Sequence, residues 1–106
     1  MSISRPEHMP TDMNGDGIHY ELPIPGRDGM VTPIDFMHLS QNGKLVDGVT
    51  NESIILMLID RLQKLSVKFP SRETSLAITN LQIALMWLEE RTRDREARGV
   101  EGKHKL

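Results

Sequence analysis

The 106-residue sequence contains no cysteine, which excludes a disulfide framework and any thiolate metal site and fits a reducing compartment. No run of 18 apolar residues occurs, and the first residues lack the basic-then-apolar order of a signal peptide. The sequence therefore predicts a cytoplasmic protein that does not enter a membrane.

Neither sign of charge is in large excess, since the formal net charge is only -2. Such a balance gives no general attraction to nucleic acid polymers or membrane surfaces, so any anion binding must come from a local arrangement. A chain of this length forms one domain at most, and its polar N-terminal part contributes little to a core. Burial of apolar surface within one copy is expected to be marginal.

Combinations of residues that perform catalysis or bind metals are missing as well. The four histidines are scattered, and no serine lies in a nucleophile-elbow context. Asp12, Asn14 and Asp16 match the opening of a calcium-binding loop, but Pro23 stands where its bidentate Glu belongs, so a solvated turn is favoured. The sequence predicts a protein that is not an enzyme and binds no metal or cofactor.

The first half of the chain is poor in periodic patterns. Residues 1–30 are rich in Pro, Gly, Asp and Met, which predicts an irregular or flexible arm. Residues 31–48 predict a small β-hairpin, because Ile34 and Phe36 alternate with other residues and Asn42-Gly43 is a strong turn dipeptide. A lone hairpin of this size is unstable, so it must lie on a helix or on another copy.

Residues 49–106 predict a helical hairpin, which makes the fold mainly α. The first helix runs from about Asn51 to Lys68, and the second, longer helix starts at the N-cap Ser71 and stops at Gly99. The Phe69-Pro70 connection is so short that the helices must be antiparallel. Two helices alone cannot bury both apolar faces, so we expect a homo-oligomeric bundle. The apolar face of the first helix comprises Ile54, Ile55, Leu58, Ile59, Leu62 and Leu65.

The apolar stripe of the second helix ends in arginines. It comprises Ala77, Leu81, Ala84, Leu85 and Leu88, widened by Leu76, Ile83 and Trp87, and the same steps lead on to Arg91 and Arg95. Two forked guanidinium groups on one face suit the two phosphates of a small cyclic nucleotide. The interleaved Asp94 and Glu96 are equally typical of a solvated helix laced with ion pairs, and by spacing alone that interpretation is favoured.

The tail that follows the second helix offers further donors. Gly99 and Gly102 allow the backbone to approach a ligand closely, and Lys103 and His104 add hydrogen-bond donors beside them. An ordinary helix end followed by a frayed terminus explains the same residues.

Several runs of sequence resemble the helical-hairpin domain shared by phage anti-CBASS and anti-Thoeris sponge proteins. These runs are GVTNE, a helix ending in DRLQ, RETSLAIT and ALMWLEERTRDREARGVEGKH, with a fainter similarity in the IDF and NG segments before them. The resemblance covers roughly residues 49–105. It implies a homo-oligomer, expected to be a hexamer, that sequesters cyclic dinucleotides or cyclic ADP-ribose isomers made by bacterial immune systems, without turnover.

The resemblance also implies a set of ligand-binding residues. The paired phosphate-binding arginines of the family fall on Arg91 and Arg95, and His104 matches a residue of the C-terminal motif. Three positions depart from the family pattern: Thr74 replaces a ligand-contacting Asn, Leu65 replaces a base-stacking aromatic, and Lys103 replaces Thr. Thr74 and His104 are expected to supply hydrogen bonds, and Leu65 to pack against a base or ribose.

Two other functions remain open from the sequence. A helical interaction module would use the wide apolar faces to bind another protein and would ignore nucleotides. A small nucleic-acid-binding protein would use the four arginines near the end of the second helix, and its affinity would fall steeply with salt. The acidic residues among those arginines disfavour the second alternative.

Overall fold

The computed structural model describes residues 6–11, 13 and 15–99, which fall into two compact units, residues 1–49 and residues 50–106. The predicted fold class is confirmed. The chain is mainly helical, with an antiparallel pair of helices, the second longer than the first, preceded by small β-hairpins.

The N-terminal unit contains two antiparallel sheets of two strands each. Strand β1 (His19–Pro23) pairs with β2 (Val31–Asp35), and β3 (His38–Leu39) pairs with β4 (Leu45–Val46). A single turn of 3-10 helix, Pro6–His8, precedes them. Among the described residues of this unit no side chain is buried, so the sheets are held mainly by backbone pairing and a few side-chain contacts.

Strand β1 lies in the stretch for which the sequence predicts an irregular arm. The chain reverses between β1 and β2 through Gly26 and Gly29, whose φ angles of 82° and 77° suit glycine. Because β2 pairs with β1, the hairpin predicted for residues 31–48 is reduced to β3 and β4. Its turn lies where the sequence places it, with Gly43 at a φ of 78°. Of the calcium-loop residues considered above, Asp12 and Asn14 lie outside the described part of the chain.

His19 joins the two strands of the first sheet through its ring. It lies opposite Asp35 in the strand register, and its Nδ1 is 2.6 Å from Asp35 Oδ1. Its Nε2 is 3.5 Å from Glu21 Oε2 on the same strand. The hydrogen bond to Asp35, and then the one to Glu21, raises the pKa of His19 above 6.5. A second side-chain contact in the unit is an edge-to-face pair of Tyr20 and Phe36, with ring centroids 5.8 Å apart.

Two segments of backbone touch at Gly48. A Cβ at this position would lie 2.7 Å from the Asp35 carbonyl oxygen and closer still to the backbone of Phe36 and Met37. The amide of Val49 donates to the Asp35 carbonyl at 2.9 Å, and the amide of Met37 donates to the Val49 carbonyl at 3.0 Å. This parallel bridge therefore requires glycine at position 48.

Both predicted helices are present, and the second has its predicted N-cap. Helix α1 (Asn51–Lys68) starts after Thr50, whose hydroxyl accepts from the Ser53 amide at 3.1 Å. Helix α2 (Arg72–Ala97) starts after Ser71, whose hydroxyl accepts from the Thr74 amide at 3.0 Å. Gly99, with a φ of 74°, ends α2 in the left-handed conformation expected of a C-terminal glycine.

The helical unit has a narrow core and a wide apolar surface. Ile59 of α1, 7% exposed, is the buried apolar residue among those described, and the inner residues of α2 around Leu85 are half-buried. The side chains predicted to widen the stripe of α2 are on the outside instead: Leu76, Ile83 and Trp87 are 45%, 44% and 65% exposed. Their seven- and four-residue spacing places them on one outer stripe.

Within the described residues, neither helix combines the length and the apolar character needed to cross a bilayer. In the same part of the chain, no three His, Asp or Glu side chains converge on a point where a metal ion could bind.

Candidate ligand-binding site

The C-terminal end of α2 carries the two arginines singled out by the sequence. Arg91 and Arg95 are one helical turn apart. Thr92, which lies between them in the sequence, is half-buried, and its hydroxyl donates to the Leu88 carbonyl at 3.3 Å. The two guanidinium groups differ in burial, since Arg95 is 4% exposed whereas Arg91 is exposed. Arg95 is the buried charged residue among those described, so a positively charged side chain is buried near this end of the helix.

The neighbouring acidic residues bind the other two arginines of the helix end. Arg93 lies 2.8 Å from Glu90 Oε2, and Arg98 lies 3.1 Å from Asp94 Oδ2. The hydrogen bond from Glu90 raises the pKa of Arg93 above its usual value. Arg93 and Arg98 therefore fit the interpretation that this end of α2 is a solvated helix with ion pairs. Arg91 and Arg95 also take part in interactions within the chain.

Thr74 and Leu65 lie at the opposite end of the hairpin, where α1 passes into α2. Leu65 is half-buried in the last turn of α1, and its carbonyl accepts from the Phe69 amide at 2.8 Å. Thr74 is half-buried in the first turn of α2, and the hydroxyls of Ser71 and Thr74 are 2.9 Å apart. The connection between the helices thus brings these two predicted site residues to one end of the helical hairpin.

A groove opens beside this end of the hairpin. It has a volume of about 320 Å³ and is lined by Gln63, Ser66, Val67, Ser75 and Ile78, so its walls combine hydroxyl and amide groups with aliphatic side chains. Val67 at its edge is 84% exposed and the nearby Phe69 is 73% exposed. None of the residues that line this groove is charged.

One chain does not bring all the predicted site residues together. Thr74 and Arg91 are 17 residues apart on a continuous helix, which at ~1.5 Å per residue is about 26 Å. A small ligand cannot span that distance, so a site that uses both groups requires two chains. Lys103 and His104 lie outside the described residues.

The family model described as "Acb2/Tad1, hairpin domain" matches residues 33–93, which is more than half of the chain. The chain belongs to the Acb2/Tad1 hairpin family. This confirms the predicted family, the phage anti-CBASS and anti-Thoeris sponges. The Acb2/Tad1 match begins within strand β2 and includes both small strands β3 and β4, all of α1 and most of α2. Arg91 lies inside the matched region and Arg95 just beyond it.

A curated relative agrees with the family assignment. The chain is 54% identical over 59 residues to "Thoeris anti-defense 1" of Bacillus phage SBSphiJ7. The aligned region covers 55% of this chain and 42% of the relative, so the chain spans less than half the length of this relative. The similarity therefore concerns a part of each chain and not the whole of the relative.

Proposed function

We propose that this chain is a sponge that binds cyclic nucleotide immune signals and holds them without turnover, so that bacterial anti-phage defence is not triggered. The observation that carries the proposal is an Acb2/Tad1 hairpin with two arginines one turn apart on one side of its longer helix. The name of the relative, Thoeris anti-defense 1, supports an anti-defence role. Cyclic dinucleotides are the proposed ligands, with cyclic ADP-ribose isomers as a second class.

The chemistry of the proposed site is charge neutralisation by arginine. Arg91 and Arg95 would each place a planar fork of N–H donors against a phosphate oxygen. Sub-micromolar binding requires more than about 8 kcal/mol. Two or three charge-assisted hydrogen bonds, at about 1.5–3 kcal/mol each, supply much of this if the site is formed before the ligand arrives. Sequestration needs no bond to be broken, so no catalytic group is assigned.

The proposed site lies between chains. Residues 49–106 would form both the oligomerisation and the ligand-binding domain, with the arginine end of one α2 near the Leu65 and Thr74 end of a neighbouring hairpin. The exposed outer stripe of α2, Leu76, Ile83 and Trp87, supplies the apolar surface that such a homo-oligomer would bury. A hexamer is the assembly implied by the family resemblance. The proposed place of action is the cytoplasm of the host cell, where the signals are made.

The proposal is tested by thermal melting against cyclic di- and trinucleotides and cyclic ADP-ribose isomers, with linear dinucleotides as controls. A ligand that binds only the folded protein, at a hundred times its Kd, stabilises it by about 2.7 kcal/mol, which is a shift of several degrees. A selective shift with one cyclic class is the expected result. No shift with any of them at high concentration would overturn the proposal.

Calorimetry on arginine variants then tests the assigned residues. Arg95→Ala and Arg91→Ala should each weaken binding by at least tenfold, because each removes a charge-assisted contact worth about 1.5–3 kcal/mol. Arg93→Ala is the matched control, since it removes the same charge from the same helix end at a residue paired with Glu90. Arg91 is exposed, so its variant remains informative if truncation of the buried Arg95 disturbs folding. Equal affinities in all three variants and the parent protein would refute the arginine assignment.

The exposed apolar stripe also supports a second candidate, a helical module that binds another protein. That function predicts a stable hetero-complex and no response to any cyclic nucleotide. The melting panel separates the two candidates, because only the sponge is stabilised by a small ligand.

A further inference from the structure

A third arginine lies on the same stripe of α2 as the two assigned above. Arg98 follows Arg95 by three residues and Arg91 by seven, and at ~100° per residue all three lie within about 60° of one another around the helix axis. The helical path continues as far as Arg98, whose φ and ψ are -88° and -1° and whose amide donates to the Asp94 carbonyl at 3.1 Å. The stripe therefore extends one further turn toward the end of the helix.

The guanidinium of Arg98 is held by a carboxylate. Its Nη2 is 3.1 Å from Asp94 Oδ2, and the two side chains are 64% and 63% exposed. An ion pair so open to water contributes little to folding and is readily exchanged for another anion. A phosphodiester offers Arg98 the same kind of acceptor as the carboxylate, with one negative charge shared by two oxygens.

The second ion pair at this helix end faces another way. Arg93 is two residues from both Arg91 and Arg95, so it points about 160° away from Arg91 around the axis. Glu90, at 2.8 Å, holds it on that other side. Of the four arginines, Arg93 is thus the one that the helix keeps off the stripe, and the Glu90–Arg93 pair is a natural control for the Asp94–Arg98 pair.

We propose that Arg98 is a third anion-binding residue of the ligand site, and that Asp94 holds its guanidinium until a ligand phosphate replaces the carboxylate. This inference rests on the proposed function and deepens it, because it assigns one residue that strengthens ligand binding and one that opposes it. Asp94 lowers the affinity because it competes with the ligand phosphate for the guanidinium of Arg98.

The test is calorimetry at low salt on the full chain, with 3′,3′-cyclic GMP-AMP, cyclic triadenylate and cyclic ADP-ribose as probes. For a probe that binds the parent protein, Arg98→Ala should weaken binding by about tenfold, as expected for one charge-assisted contact. Asp94→Asn should tighten binding by about threefold, in line with the small energies of exposed ion pairs. The double variant D94N/R98A should lose that gain. Glu90→Gln, which makes the same change in net charge, should alter the affinity less than twofold.

Two results would overturn this assignment while leaving the sponge intact. One is an unchanged affinity of Arg98→Ala when Arg91→Ala no longer binds the probe. The other is an equal gain from Asp94→Asn and Glu90→Gln, which would mark a general effect of net charge. Failure of the parent protein to bind any of the three probes would refute the proposed function, and this inference with it. Both altered pairs are exposed, so circular dichroism should find the helices of every variant unchanged.

Discussion

In the helical unit, the contacts that fix the secondary structure join residues three or four positions apart, whereas in the N-terminal unit they join residues such as His19 and Asp35, 16 positions apart. The helical unit can therefore begin to form from local sequence alone. The N-terminal unit must bring distant segments together before any pairing is gained, and closing such loops costs conformational entropy. We therefore expect different substitutions to destabilise the two units.

The chain contains a convenient reporter for each unit. Its single tyrosine, Tyr20, lies in β1 and its single tryptophan, Trp87, lies in α2. Fluorescence of the two residues, with circular dichroism at 222 nm for the helices, allows the units to be followed separately in one sample.

The largest effect is expected from Ile59→Ala in the core of the helical unit. Truncation of a buried isoleucine costs about 2–5 kcal/mol, and for a domain of this size each kcal/mol lowers Tm by roughly 4–8 °C. Val67→Ala, at a position 84% exposed, is the control and should stay within about 0.5 kcal/mol. Melts followed at 222 nm at a fixed protein concentration measure both. Similar losses in the two variants would mean that the core of this unit is not centred on Ile59.

A smaller and more local effect is expected from Gly48→Ala in the N-terminal unit. The added methyl group has no space between the backbone segments at Asp35, Phe36 and Met37, and overpacking of this kind costs about 1–3 kcal/mol. Amide hydrogen exchange at Met37 and Val49 should accelerate, while the helical signal is retained. Gly29→Asn is the control, because a Cβ there meets nothing within 4 Å and asparagine tolerates a positive φ. Loss of the helical signal in Gly48→Ala would show that the units do not respond separately.

The smallest effect is a pH dependence confined to the first sheet. Because Asp35 and Glu21 raise the pKa of His19 in the folded protein, the stabilisation is complete below pH 6.5 and is lost as the pH rises through the raised value. The groups that contact the His19 ring are Asp35 on β2 and Glu21 on β1. The 3-10 turn that adjoins β1 carries two further titratable residues, Glu7 and His8. Tyr20 fluorescence melts should therefore show a lower midpoint at pH 8 than at pH 6.

His19→Gln should remove this pH dependence. His38→Gln should keep it, because the His38 ring contacts the uncharged carbonyl oxygen of Phe36, at 3.0 Å, instead of the carboxylates that bind His19. A pH dependence that survives in His19→Gln would locate it elsewhere in the unit.

The helices could be predicted from the sequence almost to the residue because their signals are local. Ser71 as N-cap, the Phe69-Pro70 connection and Gly99 as the stop each act within one turn of the chain, and each is found where the pattern places it. Strand β1 could not be predicted in the same way. Its five residues become a strand only by pairing with β2 across the loop of residues 24–30, and a short irregular segment gives no periodic sign of that partner.

The candidate site was predictable only in part. The spacing of Arg91 and Arg95 predicted that they share a side of α2, and the structure agrees, but spacing did not reveal that one is buried and the other exposed. The periodic stripe also failed to separate inner from outer residues, since Leu76, Ile83 and Trp87 were predicted to widen it and are exposed in the single chain. An eight-residue stripe is too wide for one neighbouring helix of the same chain, and width alone does not say which edge stays uncovered.

The contact at Gly48 bears on where the segment matched by the family model begins. The bridge between residues 35–37 and 48–49 is formed by main-chain hydrogen bonds, and the close approach of the two segments leaves no space for a side chain at position 48. The family match starts at residue 33, well before the helical unit begins at residue 50. The segment that the family model matches is therefore larger than the helical hairpin. A graft or truncation that starts at residue 50 would cut through the matched segment and remove this bridge. One that starts at residue 33 would keep both segments of the bridge.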